Sequence, residues 1–304
     1  MLNLHITAVP SDPHFAEFAS HPFLKGIRMN GLFFRACDLK AEVASIPASA
    51  TVPLWFDAKG RQLRVEESIS HADHLELVLN HRIDLPLPHP IIFKAGEDWA
   101  TVERITEGNR LHMKADGFPK YRVKAGDSIH FRDEHLTIRD SKLFTNDEVE
   151  KIQAAYKMGH RKFYLSYVEQ QRDLEEFQEL VGKDSEIILK IESKKGLQFV
   201  QRDFCKQPNV RLMAARGDLY VEVDHPHDIL AAQRLIIAMD RDALVGSRMM
   251  LSLFNNTVPS CSDICEIGLL RSIGYRSFLL CDDLCKEGKA LGRAVATFEA
   301  LSCS

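Results

Sequence analysis

The strongest constraint in this sequence is an alternation. Short runs rich in β-branched and aromatic residues recur between longer stretches whose apolar positions follow a helical period. The runs fall at residues 2–6, 26–30, 52–57, 162–167, 186–192, 210–215, 243–247 and 277–281, and the helical stretches at 38–46, 146–158, 173–181, 194–204, 227–239, 261–273 and 287–301. Strand and helix in alternation predict parallel strands joined by helical crossovers, and eight strands is the number that closes a barrel. The expectation is an α/β fold, a TIM (β/α)8 barrel. Thr145 with Glu148 three residues on reads as a capping box and gives the best-defined helix start.

One stretch breaks the alternation. Residues 65–144 carry Pro86, Pro88 and Pro90 and short strand-like pieces at 91–95, 111–115, 121–125 and 128–132, divided by Gly96, Gly108, Gly117 and Gly126. This reads as a small β-rich domain inserted after the third barrel strand, with the barrel built from 1–64 and 145–304. With 45% hydrophobic and 27% charged residues the chain can bury a sizeable core, and a net charge of -4 offers no field for nucleic acid or an anionic membrane surface. No apolar run approaches the roughly 20 residues of a membrane span, and the first residues lack the basic and apolar regions of a secretion signal. A cytoplasmic protein with reduced cysteines is expected. Cys261/Cys265 and Cys281/Cys285 have the spacing of helix neighbours, not of a zinc knuckle. A homodimer is the prior for a barrel.

In such a barrel, function gathers at the carboxyl ends of the strands. Arg28 and Asn30 close the second run, Asp57 and Lys59 the third, Lys190 and Glu192 the fifth, and Arg216 and Asp218 the sixth; Arg248 follows the seventh, and Asp282 and Asp283 the eighth. Strand alternation sends Lys190 and Glu192 to one face. Glu192 and Asp218, from adjacent strands, can hold a hard cation such as Mg2+, with Lys190, Arg28 and Arg64 as a cationic ring for a phosphate or carboxylate. From composition alone, Lys190 and Glu192 read more readily as a satisfied ion pair in the barrel mouth. His71/His74 and His225/His227 are possible ligand pairs, but neither has a third ligand at helical spacing, so neither is expected to bind metal. Cys281 has no neighbouring base and is not expected to act as a nucleophile.

The runs LKIESKKGLQFV and VRLMAARGDLYVEV resemble two adjacent signatures of the pyruvate kinase family, in the right order and at the right separation. GIRMNGLF, WFDAKGRQLRV, FYLSYVEQQRDLEEF and the segment through VGSRMMLSLFNNTVPSCSDI are similar to further family segments, so the likeness covers nearly the whole chain. The family's small β domain is inserted at the place of 65–144, and its carboxyl-terminal regulatory domain has no counterpart in these residues. The resemblance implies Mg2+ (or Mn2+) on Glu192 and Asp218. Lys190 would face the transferred phosphoryl group and the enolate oxygen. The N–H groups of Gly217 and Asp218 would receive the substrate carboxylate, with Arg28 on the phosphate and Arg64 in support. The substrate implied is phosphoenolpyruvate, pyruvate or a related 2-oxo acid.

The departures are specific. Arg248 stands where the family has the threonine that serves proton delivery, and a fixed cation there favours a second anionic group on the substrate. In the monovalent-cation site Asn30 and Asp57 remain, but the family serine and threonine are Leu32 and Ala58, which argues against potassium activation; Arg248 or Lys59 could substitute for the ion. Phe33, Arg61 and the short insert change the region where the family binds nucleotide, so a nucleotide partner is left open. Asp282 and Asp283 replace a further family loop and read as a turn and helix cap. Phosphoryl transfer is the simplest activity. The alternatives are a carbon–carbon lyase or aldolase that uses the enolate as a nucleophile with Arg248 on the electrophile, and a non-catalytic binding protein.

Overall fold

The computed structural model describes residues 1–33, 35–93, 96–114, 119–133, 135–139 and 143–303. Eight parallel strands close into a barrel: Asn3–Thr7, Leu24–Asn30, Leu54–Ala58, Lys162–Leu165, Glu186–Ile191, Val210–Ala215, Leu244–Gly246 and Ser277–Leu279. Each pairs with its neighbours in chain order, and the last closes on the first through Asn3↔Ser277 and His5↔Leu279. The α/β barrel expected from the alternation is the fold observed.

The strands close because each offers two different faces. Outward residues such as Ile27, Leu189, Leu212 and Val245 pack under the helices in one large core. Inward residues Trp55, Tyr164, Ile188, Met213, Leu244 and Leu279 meet in a separate cluster that fills the barrel. His5 joins that interior, with its Nδ1 2.7 Å from the Tyr164 hydroxyl and its ring 5.5 Å from Trp55. Gly26 is required beside them, since a Cβ there would lie 2.5 Å from His5 Nδ1 and 2.8 Å from Trp55.

Most helices fall where the period places them. Asn146–Lys157 starts at Thr145, whose hydroxyl accepts from Glu148 N, and Lys194–Arg202 starts at Ser193, which accepts from Gly196 N. The reciprocal bond expected of Glu148 is replaced: its carboxylate accepts instead from Lys59 N at 3.2 Å. Several short elements had no periodic signal, notably the helix Arg216–Glu222, which follows the sixth strand without an intervening loop. The runs at 186–192, 243–247 and 277–281 end one or two residues earlier as strands, which frees Glu192 and Cys281 from the ladder, while Ser247 N still donates to the Leu279 carbonyl at 3.3 Å.

Between the third and fourth barrel strands lies an antiparallel sheet of six strands in the order Ile129–His130, His89–Phe93, Asp98–Thr106, Arg110–Lys114, His74–Leu79 and Val65–Ser70. Ile83–Asp84 pairs with Thr137–Ile138 beside it. Leu75, Leu77, Leu79, Ile91, Phe93, Val102 and Leu111 form its own core. The strand expected at 121–125 is not formed; Val123 packs in this core from a loop. Gly117, and the ends of the pieces at 91–95 and 111–115, lie outside the described residues. Among the described residues no helix is long and apolar enough to cross a membrane.

Candidate active site at the barrel mouth

A cavity of about 420 Å³ opens at the carboxyl ends of the strands, and it is lined by Arg28, Asn30, Lys59, Arg64, Lys190, Glu192, Gly217, Asp218 and Arg248 among others. Asp57 lies beneath these lining residues. Asp57 itself is fully buried, so its negative charge has to be compensated by cations beside it. Its Oδ2 accepts from Arg28 Nε at 2.9 Å and from Lys59 Nζ at 2.8 Å, with Lys190 Nζ 3.7 Å away, while Oδ1 accepts from Ser166 Oγ at 3.2 Å. Burial alone would raise the Asp57 pKa; the charges of Arg28, Lys190 and Lys59 reverse this and hold the carboxyl far below the ordinary range. Burial, opposed by Asp57, draws the Lys59 ammonium down to about 8.

Lys190 and Glu192 emerge together from the fifth strand, with Nζ 3.1 Å from Oε1. Lys190 also donates to Ser166 Oγ at 2.8 Å. Glu192 Oε2 accepts from Tyr167 N at 2.8 Å, a contact that rests on the left-handed backbone of Tyr167 at φ +53°. The sixth strand and its helix bring Asp218 beside Glu192, close enough for each carboxyl group to move the other's pKa. Burial drives the Glu192 pKa upward, with Asp218 adding to the effect against Lys190, to about 7. Asp218 moves the other way despite burial, because His130 forms an ion pair with it and Lys190 lies close. On acidification the pair therefore takes up its proton on Glu192 and not on Asp218.

Three supporting residues of the site were not legible beforehand. His130, on the inserted sheet, places Nε2 3.3 Å from Asp218 Oδ1 and Nδ1 2.9 Å from Glu222, and the Tyr167 hydroxyl lies 3.0 Å from Nδ1. Burial opposes its protonation, yet Asp218 and Glu222 raise its pKa to about 9. Gln62 donates to Asp218 Oδ2 at 3.1 Å and accepts in turn from Arg64, which also donates to the Gly126 carbonyl. Ser166 links Lys190 to Asp57. Each is a single polar residue whose partners lie far away in sequence, so periodicity carries no signal for it.

Arg28 reaches the cavity, but its guanidinium is committed to Asp57 and, through Nη1, to Asp282 Oδ2 at 3.0 Å. Asp282 also accepts from Asn30 Nδ2 at 3.0 Å. It begins the helix Asp282–Lys286, and it is also a wall of the site. Arg28 and Lys59, helped by Asn30, bring its pKa to about 2 against the effect of burial. Asn30 and Asp57 thus face Asp282 and Lys59, and the ammonium on Asp57 belongs to Lys59. Arg248 lies over the Tyr220 ring, 4.6 Å from its centroid, at the border between the mouth cavity and a neighbouring pocket. Ser247, Arg248 and Met250 all have left-handed backbones, with φ of +69°, +59° and +58°. Three such residues in four is a concentration of strain of the kind found at functional loops. Arg61 pairs with Asp173, and the side chain of Phe33 lies outside the described residues.

No family model matches the chain. It is 22% identical over 249 residues to a pyruvate kinase of Naumovozyma castellii, covering 70% of this chain and 47% of that protein. It is 24% identical over 239 residues to a pyruvate kinase of Agrobacterium vitis, covering 71% and 49%. With a pyruvate kinase of Methanocaldococcus jannaschii it shares 22% over 261 residues, covering 80% and 56%. The chain spans about half the length of the curated relatives it matches. These likenesses support a pyruvate-kinase-like relationship.

Proposed function

We propose that the chain is a divalent-metal-dependent enzyme of pyruvate kinase type, acting on phosphoenolpyruvate, pyruvate or a related 2-oxo acid, most simply by phosphoryl transfer. The observation that carries this reading is the meeting of Lys190, Glu192 and Asp218 on one wall of the mouth cavity. The names of the similar proteins support it.

The donor set fits a hard cation. A buried and a half-buried carboxylate side by side ionise together most readily when positive charge lies between them, and oxygen donors beside an open cavity suit Mg2+ or Mn2+. Glu192 and Asp218 would hold the ion, which would neutralise charge on substrate oxygens. Phosphoryl transfer asks mainly for positioning and charge compensation. Lys190 supplies a fixed ammonium next to the carboxylates. The first-turn N–H groups of Gly217 and Asp218 have no partner within their helix and line the cavity, suited to a substrate carboxylate. Arg28 and Arg64 add positive potential from the rim. Lys59 occupies the position on Asp57 where a monovalent cation would act, which supports activity without potassium.

A specific observation favours a second reading. Arg248, at the cavity border in a strained loop, suits the carboxylate of a second reactant, as a carbon–carbon lyase or aldolase requires. Thermal protection separates the readings. Phosphoryl transfer predicts Mg2+-dependent stabilisation by phosphoenolpyruvate and by a nucleoside diphosphate; the lyase predicts it with pyruvate or oxalate and none with nucleotide. No stabilisation by any of them would favour a binding protein. Metal-dependent protection that survives in both Glu192→Gln and Asp218→Asn would overturn the site assignment.

A further inference from the structure

A second cavity, of about 240 Å³, lies where the inserted sheet meets the barrel, and it shares no lining residue with the mouth cavity. Leu63, Ile129, Phe131, Leu136 and Ile138, which belong to the insert's core or pack against it, give it apolar walls. Tyr167, Glu169, Ser193 and Glu222 reach it from the segments that follow the fourth, fifth and sixth barrel strands. Past Glu169 it joins a more open polar crevice, which shares Arg61, Glu169 and Lys195 with it, so the chamber has a way in. Apolar walls with a few convergent polar groups are the form of a small-molecule site.

Its acids decide which ligand fits. Glu169 is half-buried, its Oε1 accepts from Ser193 Oγ at 2.6 Å, and among the described residues it forms no ion pair. Burial raises its pKa, and Ser193, Lys195 and Arg61 offset this only in part. Those two cations are committed elsewhere, Arg61 to Asp173 and Lys195 Nζ to the Leu136 carbonyl at 3.0 Å. Glu222 gives its Oε1 to His130 at 2.9 Å. A carboxylate set against apolar walls, short of a cationic partner, favours a ligand that brings N–H donors to it on an apolar body. An anionic ligand would meet two carboxylates instead.

We infer that this chamber is a second ligand site, for a molecule with a ring-sized apolar body and an amine or amidine head that bonds to Glu169 and Glu222, and that His130 links it to the mouth. The link follows from the wall between the two cavities. His130 sets Nδ1 2.9 Å from Glu222 and 3.0 Å from the Tyr167 hydroxyl, on the chamber side, and Nε2 3.3 Å from Asp218, on the mouth side. Tyr167 lines the chamber while its backbone N–H donates to Glu192 in the mouth. A cationic head drawn to Glu222 competes with His130 for it, and Asp218 holds the imidazole on the other side. With Asp218 neutral, His130 falls wholly to Glu222 and the head loses that partner, so charge at Asp218 and affinity in the chamber are coupled. The inference requires no metal at the mouth and is independent of the chemistry proposed there.

The test titrates benzamidine, a ring-sized amidine, against the full chain in chelator by ligand-detected NMR, with benzoate as the anion of matched shape. The expected result is one saturable site for benzamidine and none for benzoate. Leu136→Trp, which fills the chamber, should abolish binding with circular dichroism unchanged, and Glu169→Gln, which keeps the chamber's shape, should weaken it about tenfold. Asp218→Asn should weaken it severalfold from outside the chamber. No saturable binding of benzamidine, equal binding of benzoate, or full affinity in Leu136→Trp or Glu169→Gln would overturn the site. Loss in Asp218→Asn alone would place the amidine in the mouth and overturn it equally, and full affinity in Asp218→Asn would overturn the link through His130.

Discussion

Asp57 and Glu192 show how burial and charge assign opposite roles to the same functional group. Asp57, ringed by three cations, is held ionised far below the ordinary carboxyl range. Glu192, held against Asp218, keeps a proton to about pH 7. Since a cation must displace that proton, Mg2+ affinity should be constant above about pH 7 and fall below it, by roughly tenfold per pH unit. Calorimetric titration on either side of neutrality checks this, and a flat profile would mean that the ion binds elsewhere. Arg248→Thr should leave Mg2+ binding intact while weakening a ligand with a second anionic group by about 1.5–3 kcal/mol, tenfold or more. An unchanged affinity would remove Arg248 from the site. Lys190, Glu192 and Asp218 were legible because period-two alternation and adjacent strand ends bring them together. Asp282 was not: its reading as a helix cap was sound locally, and only barrel closure sets it against Arg28 and Asn30.

At the scale of elements, the turn after the third barrel strand bears the tightest constraint near the site. Gly60 has φ +54°, and a Cβ there would run into the Ser166 carbonyl. Gly60→Ala should therefore destabilise the chain by about 1–3 kcal/mol in a denaturant midpoint measurement, with the loss also reaching Lys59 and Ser166 and hence ligand binding. At the start of the helix Lys194–Arg202, Ser193 accepts from Gly196 N and donates to Glu169 at 2.6 Å. Ser193→Ala should cost about 1 kcal/mol in the same assay, with little change at the mouth. Long, strongly periodic helices and strands were readable, since burial of one face dictates their pattern. The helix Arg216–Glu222 was not, because two turns packed end-on against a strand need no full amphipathic stripe.

For the molecule as a whole, the buried interior fixes the response to acid. His5, enclosed with Tyr164 and Trp55, has its pKa lowered to about 3, first by burial and then by Arg211 and Lys162. Between about pH 6.5 and 3 the unfolded chain binds a proton that the folded barrel refuses, so stability should fall as pH drops through that window and level off above it. The fluorescence of Trp55, isolated by Trp99→Phe since Trp99 is exposed, reports the transition; a midpoint independent of pH across that window would refute the account. His130 binds the inserted sheet to the barrel through Asp218 and Glu222, so binding at the mouth should stabilise both parts together.

The packed cluster of Trp55, Tyr164, Met213 and Leu279 gives the barrel a floor. Among the described residues this cluster closes the axis, so the vestibule above it is blind-ended. Whatever enters must leave by the doorway it came through, so a spent molecule blocks the arrival of a fresh one, and product should inhibit by competing directly with substrate.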